Sequence, residues 1–275
     1  MRVIQILPQL NIGGVERGTL DLSKALIEQG HESFVISGGG ILVDELIRSG
    51  AKHYEIPVHI KSLRTLYLAK SLSEKISSID PDIVHIRSRM PAWVNYRAFK
   101  MLKKKPLLIS TFHGLYSFPI YSKVMSFVDH SIAISKTVER YILENYRLDK
   151  DDITVIPRGC DPIEFNNNVI NPADKANIIE EFPQIVGKKI LTIPGRITKW
   201  KGVAEFIELL SLLDDNYHGL IVGPTAKSKK NYLKKLQNKV SSLNLEDKIT
   251  FTGSRRDIAN TVSYTHLTLP TNGTV

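Results

Sequence analysis

The chain has 275 residues, 42% of them hydrophobic, a formal net charge of +9 and a single cysteine, Cys160. Its length supports a buried core in one large or two ordinary domains, while one cysteine excludes an intrachain disulfide and argues against a thiolate metal site. The opening "MRVIQILPQL" lacks a signal-peptide h-region, and no apolar run reaches membrane-spanning length, so a cytoplasmic chain is expected.

In chain order, short β-branched runs alternate with amphipathic helical stretches, the pattern of a parallel α/β sheet covered on both faces. The strand candidates are "RVIQIL", "SFVIS", "KHYEI", "DIVHI", "PLLIST", "HSIAIS" and "ITVIP", followed by helical segments such as "GTLDLSKALIEQG" and "SKTVERYILENY". Residues 161–187, rich in Asn, Asp and Pro, read as a linker with room for one short helix. The pattern restarts with "KKILTIPG", "HGLIVG" and "KITFTG", separated by "KGVAEFIELLSLL" and "YLKKLQNKVSSLNL". The expected organisation is a first domain over 1–160, the linker over 161–187, a second and incomplete domain over 188–260, and a tail over 261–275.

The unusual residues fall just after strands, where ligands bind in open parallel sheets because loops and helix N-termini converge there. Gly13 and Gly14 let the backbone turn tightly before a helix start suited to an anion; an ordinary turn, with Glu16 balancing the positive end of its own helix, is the plainer reading. In "LTIPGRITKWKG", Gly195 turns the chain out of a strand, Arg196 offers a planar fork for phosphate oxygens, and Lys201 adds a second cation at a helix start. Together they suit a diphosphate, although each cation alone reads equally as surface charge. Trp200 either covers the linker or stacks on a ring. His113, leaving "STFHG", can hydrogen-bond a sugar hydroxyl or simply hold its loop. Arg87 and Arg89 share that edge and suit an anionic acceptor or ion pairs with surface carboxylates.

Several classes lack their signatures. G-x-G-x-x-G, H-E-x-x-H, G-x-S-x-G and a strand-following Asp-x-Asp are all absent, and Asp80-Pro81-Asp82 precedes its strand as a turn would. The positive charge suits a polyanion, but the chain shows no RNP strand, zinc-finger spacing or basic region running into heptads, so no nucleic-acid partner is expected. An anionic membrane surface is a second polyanion to consider: "RAFKMLKKKP" sets Arg97, Lys100, Lys103, Lys104 and Lys105 among Phe99, Met101 and Leu102. A solvated helix end explains the same residues.

Taken in order, "GGVERGTLDLSKAL", "FHG", "AISKTVERY", "ITVIPRGCDPIEF", "GRITKWKG" and "LIVGP" resemble the retaining GT-B glycosyltransferases of glycosyltransferase family 4, from about Arg2 to Gly253. The resemblance implies an α/β fold of two Rossmann-like, doubly wound domains facing across a cleft. It also implies transfer of a sugar from a nucleotide-sugar donor to an acceptor hydroxyl with retention and without a metal or other cofactor. Arg196 and Lys201, with Gly195, match the clamp on the donor diphosphate, Gly13 and Gly14 the loop at the transfer site, and His113 the histidine near the transferred sugar. "RSRMPAW" with "PGRITKWKG" resembles a bacterial branch concerned with lipopolysaccharide or other surface glycans, implying a glycan or lipid-linked acceptor. Where most relatives carry Asn-Gly-Val-Asp, this chain has Arg158-Gly159-Cys160-Asp161, a segment read as chiefly structural. A non-catalytic nucleotide or glycan binder and, less well supported, a Rossmann oxidoreductase are the alternatives.

The family continues beyond "ITFTG" with further strands and a Glu-x7-Glu motif, which nothing here matches, and "VSYTHLTLPT" resembles a translated transposase-derived sequencing adapter. The expectation is therefore a truncated chain with a non-native tail, an unstable second domain and no turnover of its own.

Overall fold

The computed structural model describes every residue except 61–64, 117–118, 160–171, 227–228, 256, 264 and 269–275. Cys160 and the first half of the expected linker lie outside the described residues. The chain divides into two compact units between Arg158 and Gly159.

Unit 1 runs β1 (Arg2–Ile6), α1 (Gly14–Glu28), β2 (Glu32–Ser37), α2 (Val43–Arg48), β3 (Lys52–Glu55), α3 (Thr65–Ile79), β4 (Ile83–Ile86), α4 (Arg89–Phe99), β5 (Leu107–Phe112), α5 (Pro119–Ser122), β6 (His130–Ala133), α6 (Lys136–Asn145) and β7 (Ile153–Val155). Its strands form one parallel sheet in the order β3-β2-β1-β4-β5-β6-β7. The near-continuous apolar character of β1, β2 and β4 follows from coverage on both faces. Ile4, Ile6, Phe34, Ile36, Val84 and Ile86 join the larger core with helical residues such as Leu72, Ile76 and Val94. Val35 faces the other way, into a smaller cluster with Leu7, Leu10, Leu20 and Leu46. The order reverses at β1, whose neighbours are β2 and β4. A ligand crevice in such a sheet opens where the order reverses, so the loops after β1 and β4 flank the favoured position.

Unit 2 comprises α7 (Pro172–Glu181), β8 (Lys189–Pro194), α8 (Val203–Ser211), β9 (Tyr217–Val222), α9 (Lys230–Ser242), β10 (Ile249–Gly253), α10 (Ile258–Ser263) and β11 (Leu267–Thr268). Its parallel sheet has the order β10-β9-β8-β11, reversing at β8. Alternation sorts β8 between layers: Leu191 and Ile193 pack with Phe206, Ile207, Leu236 and Val240, whereas Ile190 packs with Leu220, Val222, Ile178 and Ile185.

Two differences from the sequence reading arise here. The second half of the expected linker is part of unit 2, because Ile178 and Ile185 are fully or almost fully buried and cover one face of its sheet. The expected tail also contributes structure. Residues Leu267 and Thr268 pair with Leu191 and Thr192, and the His266 ring accepts the Ile190 N–H at 2.9 Å while the His266 backbone N–H donates to the Ile190 carbonyl at 2.9 Å. Unit 2 therefore has a fourth strand among the described residues where sequence patterning finds three; β11 is too short to show a period.

The basic stretch after α4 departs from amphipathic expectation. Leu102 is buried and Phe99 packs on the core, leaving Met101 as its exposed apolar side chain, and Lys104 pairs with Asp80 at 2.7 Å. No helix among the described residues is long and apolar enough to cross a membrane.

Candidate active site

In unit 1, the site is built from the loops following β1, β4, β5 and β7. Gly13 caps α1 in extended conformation, and its carbonyl accepts the Arg17 N–H at 2.9 Å. Glu16, in the first turn, folds its carboxylate back over Gly13, where a side chain at 13 would meet it. That placement opposes negative charge to the positive helix end.

Arg87 follows β4 and is 6% exposed. Its Nη1 donates to Gln5 Oε1 at 2.9 Å; the Gln5 amide in turn donates to the Thr19 carbonyl at 3.1 Å and to Ser23 Oγ at 2.9 Å, and Ser33 donates to Ser23 at 3.0 Å. A polar chain from β2 through α1 and β1 thus fixes the guanidinium. Burial, and then the charge of Arg158, lower the Arg87 pKa to about 10, against the opposing pull of Asp21 and Glu16. Its Nε is buried without a hydrogen-bond partner.

His113 leaves β5, with His85 on neighbouring β4 bonded through Nε2 to Thr111 at 2.7 Å. Arg158, beyond β7, donates from Nη2 to His113 Nδ1 at 2.9 Å. Because a guanidinium has no acceptor, Nδ1 must be the unprotonated nitrogen and the ring proton sits on Nε2. That Nε2–H is buried and unpartnered. Burial chiefly, with the charges of Arg87 and Arg158, lowers the His113 pKa to about 2. The ring is a neutral hydrogen-bond donor, not a cation.

Arg87, His113, Arg158, Gly13, Gly14 and Glu16 therefore come together at the switch point of unit 1. Arg89 does not join them. It donates to Ser122 Oγ at 3.3 Å and lies over the rings of Tyr116 and Tyr121 at 4.8 and 5.6 Å, a cation–π seat. Arg158, which the sequence places in a structural segment, joins this cluster through His113 and Gly14, and its departure from the usual Asn is the signal that could have marked it. Gln5, Thr19 and Ser23 leave almost none, beyond a polar residue inside an apolar strand.

In unit 2, Gly195 and Arg196 follow β8, where that sheet reverses. The Gly195 N–H donates to the Val222 carbonyl at 2.7 Å and the Ile197 N–H to the Pro224 carbonyl at 3.1 Å, locking this loop to the one after β9. Arg196 is exposed. Lys199–Lys201 form a 3-10 turn ended by Gly202, whose φ of 72° and ψ of 22° are left-handed and cap α8. The turn sets Lys201 at the α8 N-terminus, and Trp200 is 82% exposed.

Two α/β units with parallel sheets, the first doubly wound, each carrying cations at its switch point, define a fold of the GT-B class, and solved structures agree. A glycosyltransferase from Rickettsia africae superposes with a TM-score of 0.82 at 32% identity, covering 97% of this chain and 72% of that one. Anabaena HepE in complex with UDP and glucose superposes at 0.84 with 17% identity, over 99% and 76% of the two chains.

The chain belongs to Glycosyltransferase Family 4, whose model matches residues 12–164, and residues 174–270 match that of the Glycosyl transferases group 1. Among curated proteins, one subunit of the human phosphatidylinositol N-acetylglucosaminyltransferase is 25% identical over 203 residues, 68% of this chain and 42% of that protein. An uncharacterized glycosyltransferase of Methanocaldococcus jannaschii is 22% identical over 267 residues, 90% and 67% of the two. The chain thus spans less than half the length of the human relative.

Proposed function

We propose that this chain carries the machinery of a retaining glycosyltransferase that moves a sugar from a nucleotide-sugar donor to an acceptor hydroxyl in surface-glycan synthesis, with no metal. Family membership is the observation that carries the reading. Gly195, Arg196 and Lys201 hold the donor diphosphate and stabilise the charge that develops on the leaving phosphate. On unit 1, Gly13 and Gly14 form the loop at the transfer site and His113 lies near the transferred sugar. UDP–sugar binding in Anabaena HepE supports a nucleotide-sugar donor. The surface-glycan assignment has support in the lipopolysaccharide role of WaaG, of like fold with a TM-score of 0.73 at 14% identity.

The test is anomeric NMR on sugar transfer by the protein; an inverted product or no transfer from any nucleotide sugar overturns the reading. Attachment to anionic lipid through Arg97, Lys100, Lys103 and Lys105 is chiefly electrostatic in this reading, so cosedimentation with anionic vesicles that survives high salt overturns it.

A further inference from the structure

Arg87 and Arg158 have more donor capacity and more charge than their surroundings take up. Of the carboxylates coupled to them, Asp21 is committed to Arg17 at 3.3 Å, and Arg17 also holds Glu45 at 2.7 Å. Glu16 remains, against two guanidiniums. Burying a guanidinium is costly unless its N–H groups are paired, yet Arg87 Nε and the neighbouring His113 Nε2–H are both buried without partners.

The helix beside them is shaped around the same two cations. Gly14 and Gly18 stand one turn apart on one face of α1. A Cβ at Gly14 would collide with Arg158 Nη1, and one at Gly18 would come within 3.1 Å of Arg87 Nη2. Two bare positions thus admit two guanidiniums to the first turns of α1, where unpaired backbone N–H groups also face outward. Gly14 and Arg158 are exposed, so the position is open to solvent.

We propose that Arg87, Arg158 and the Nε2–H of His113 form an anion site on unit 1 that takes a carboxylate or phosphate borne by the sugar acceptor. This rests on the glycosyltransferase reading and names its acceptor class: an anionic saccharide or a phosphate-bearing one. Arg87, fixed through Gln5, supplies the buried charge; Arg158, held by His113, supplies the outer one. No bond is made or broken at the site.

The experiment uses the 275-residue chain labelled with 15N-histidine, titrated with inorganic phosphate, glucuronate and UDP, and followed by calorimetry and the His113 ring resonances. Phosphate and glucuronate should each move the His113 Nε2 signal. Arg158→Gln should weaken that binding roughly tenfold or more, the scale of a lost charge-assisted hydrogen bond, and so should Arg87→Gln. Gly14→Ala, which displaces the Arg158 side chain without removing it, should do the same with an unchanged unfolding midpoint, which covers the chance that Arg87→Gln fails to fold. Arg196→Ala should leave the phosphate and glucuronate responses intact. No response to either anion, or a response that survives both Arg158→Gln and Gly14→Ala, overturns the site. Loss of the response in Arg196→Ala, or its displacement by UDP, assigns the anion to the donor and overturns the acceptor assignment. UDP binding indifferent to Arg196 and Lys201 would instead remove the donor clamp while leaving this site standing.

Discussion

Replacing Gly223 by alanine should cripple unit 2 while leaving unit 1 intact. Gly223 follows β9 with φ of 151°, a conformation that L side chains rarely adopt. A Cβ there would lie 2.6 Å from the Gly195 carbonyl carbon and closer still to its oxygen, and 3.3 Å from the Arg196 nitrogen. These obstacles are backbone, and both loops are tethered: Gly195 to the Val222 carbonyl at 2.7 Å, Gly223 to the Gly253 carbonyl at 2.8 Å and Ile197 to the Pro224 carbonyl at 3.1 Å. Relief requires the Gly195 loop to retreat by about an ångström. Roughly 1–3 kcal/mol for the strained φ, about 1–3 for overpacking and about 1 for a lost hydrogen bond sum to on the order of 3–7 kcal/mol. That is a large share of a typical domain's stability of about 5–15 kcal/mol. Hydrogen-exchange mass spectrometry should show β8, β9 and β10 peptides losing protection in the variant, with β1, β4 and β5 unchanged, and UDP binding reduced. Unchanged protection across β8 and β9 would refute the argument, because it would mean that the loops accommodate the methyl group freely.

The proposed diphosphate clamp carries its own prediction: in a sugar-transfer assay, Arg196→Ala and Lys201→Ala should each cost about 2–4 kcal/mol of transition-state stabilisation in kcat/KM. Unchanged kinetics in both would end the diphosphate assignment. His113→Ala should lower kcat more than it weakens nucleotide affinity, and a pure loss of nucleotide binding would contradict its placement on unit 1. Acid should destabilise unit 1, because burial lowers the His85 pKa to about 3. The unfolded chain takes up the proton below about 6.5 and the native one does not, so stability is full above that pH and falls as pH drops towards 3, by at most about 1.4 kcal/mol per pH unit. Denaturant midpoints from pH 7 to 5 should fall for the parent and less for His85→Gln; a flat parent profile would contradict the burial argument.

The sequence by itself determined the local and periodic features. Apolar, largely β-branched runs marked strands such as β1, β2, β4, β8 and β9, because coverage on both faces demands apolar residues along most of their length. Gly13, Gly195 and Arg196 were legible as loop residues after strands, and Gly14 as the residue that opens the following helix, since their chemistry is local to the turn they make. Only the tertiary structure decided which of those loops adjoin. The strand order brings the ends of β1 and β4 side by side although about eighty residues separate them, and that adjacency joins Arg87 to Gln5 and α1. Arg89, two residues on, leaves with α4 towards Tyr116 and Tyr121. The tie between Arg158 and His113 spans forty-five residues and depends on where β7 ends relative to β5. The protonated nitrogen of His113 follows from that single contact, as does its role as a neutral donor. No spacing or composition encodes such a tie, because its partners meet only once the sheet has assembled.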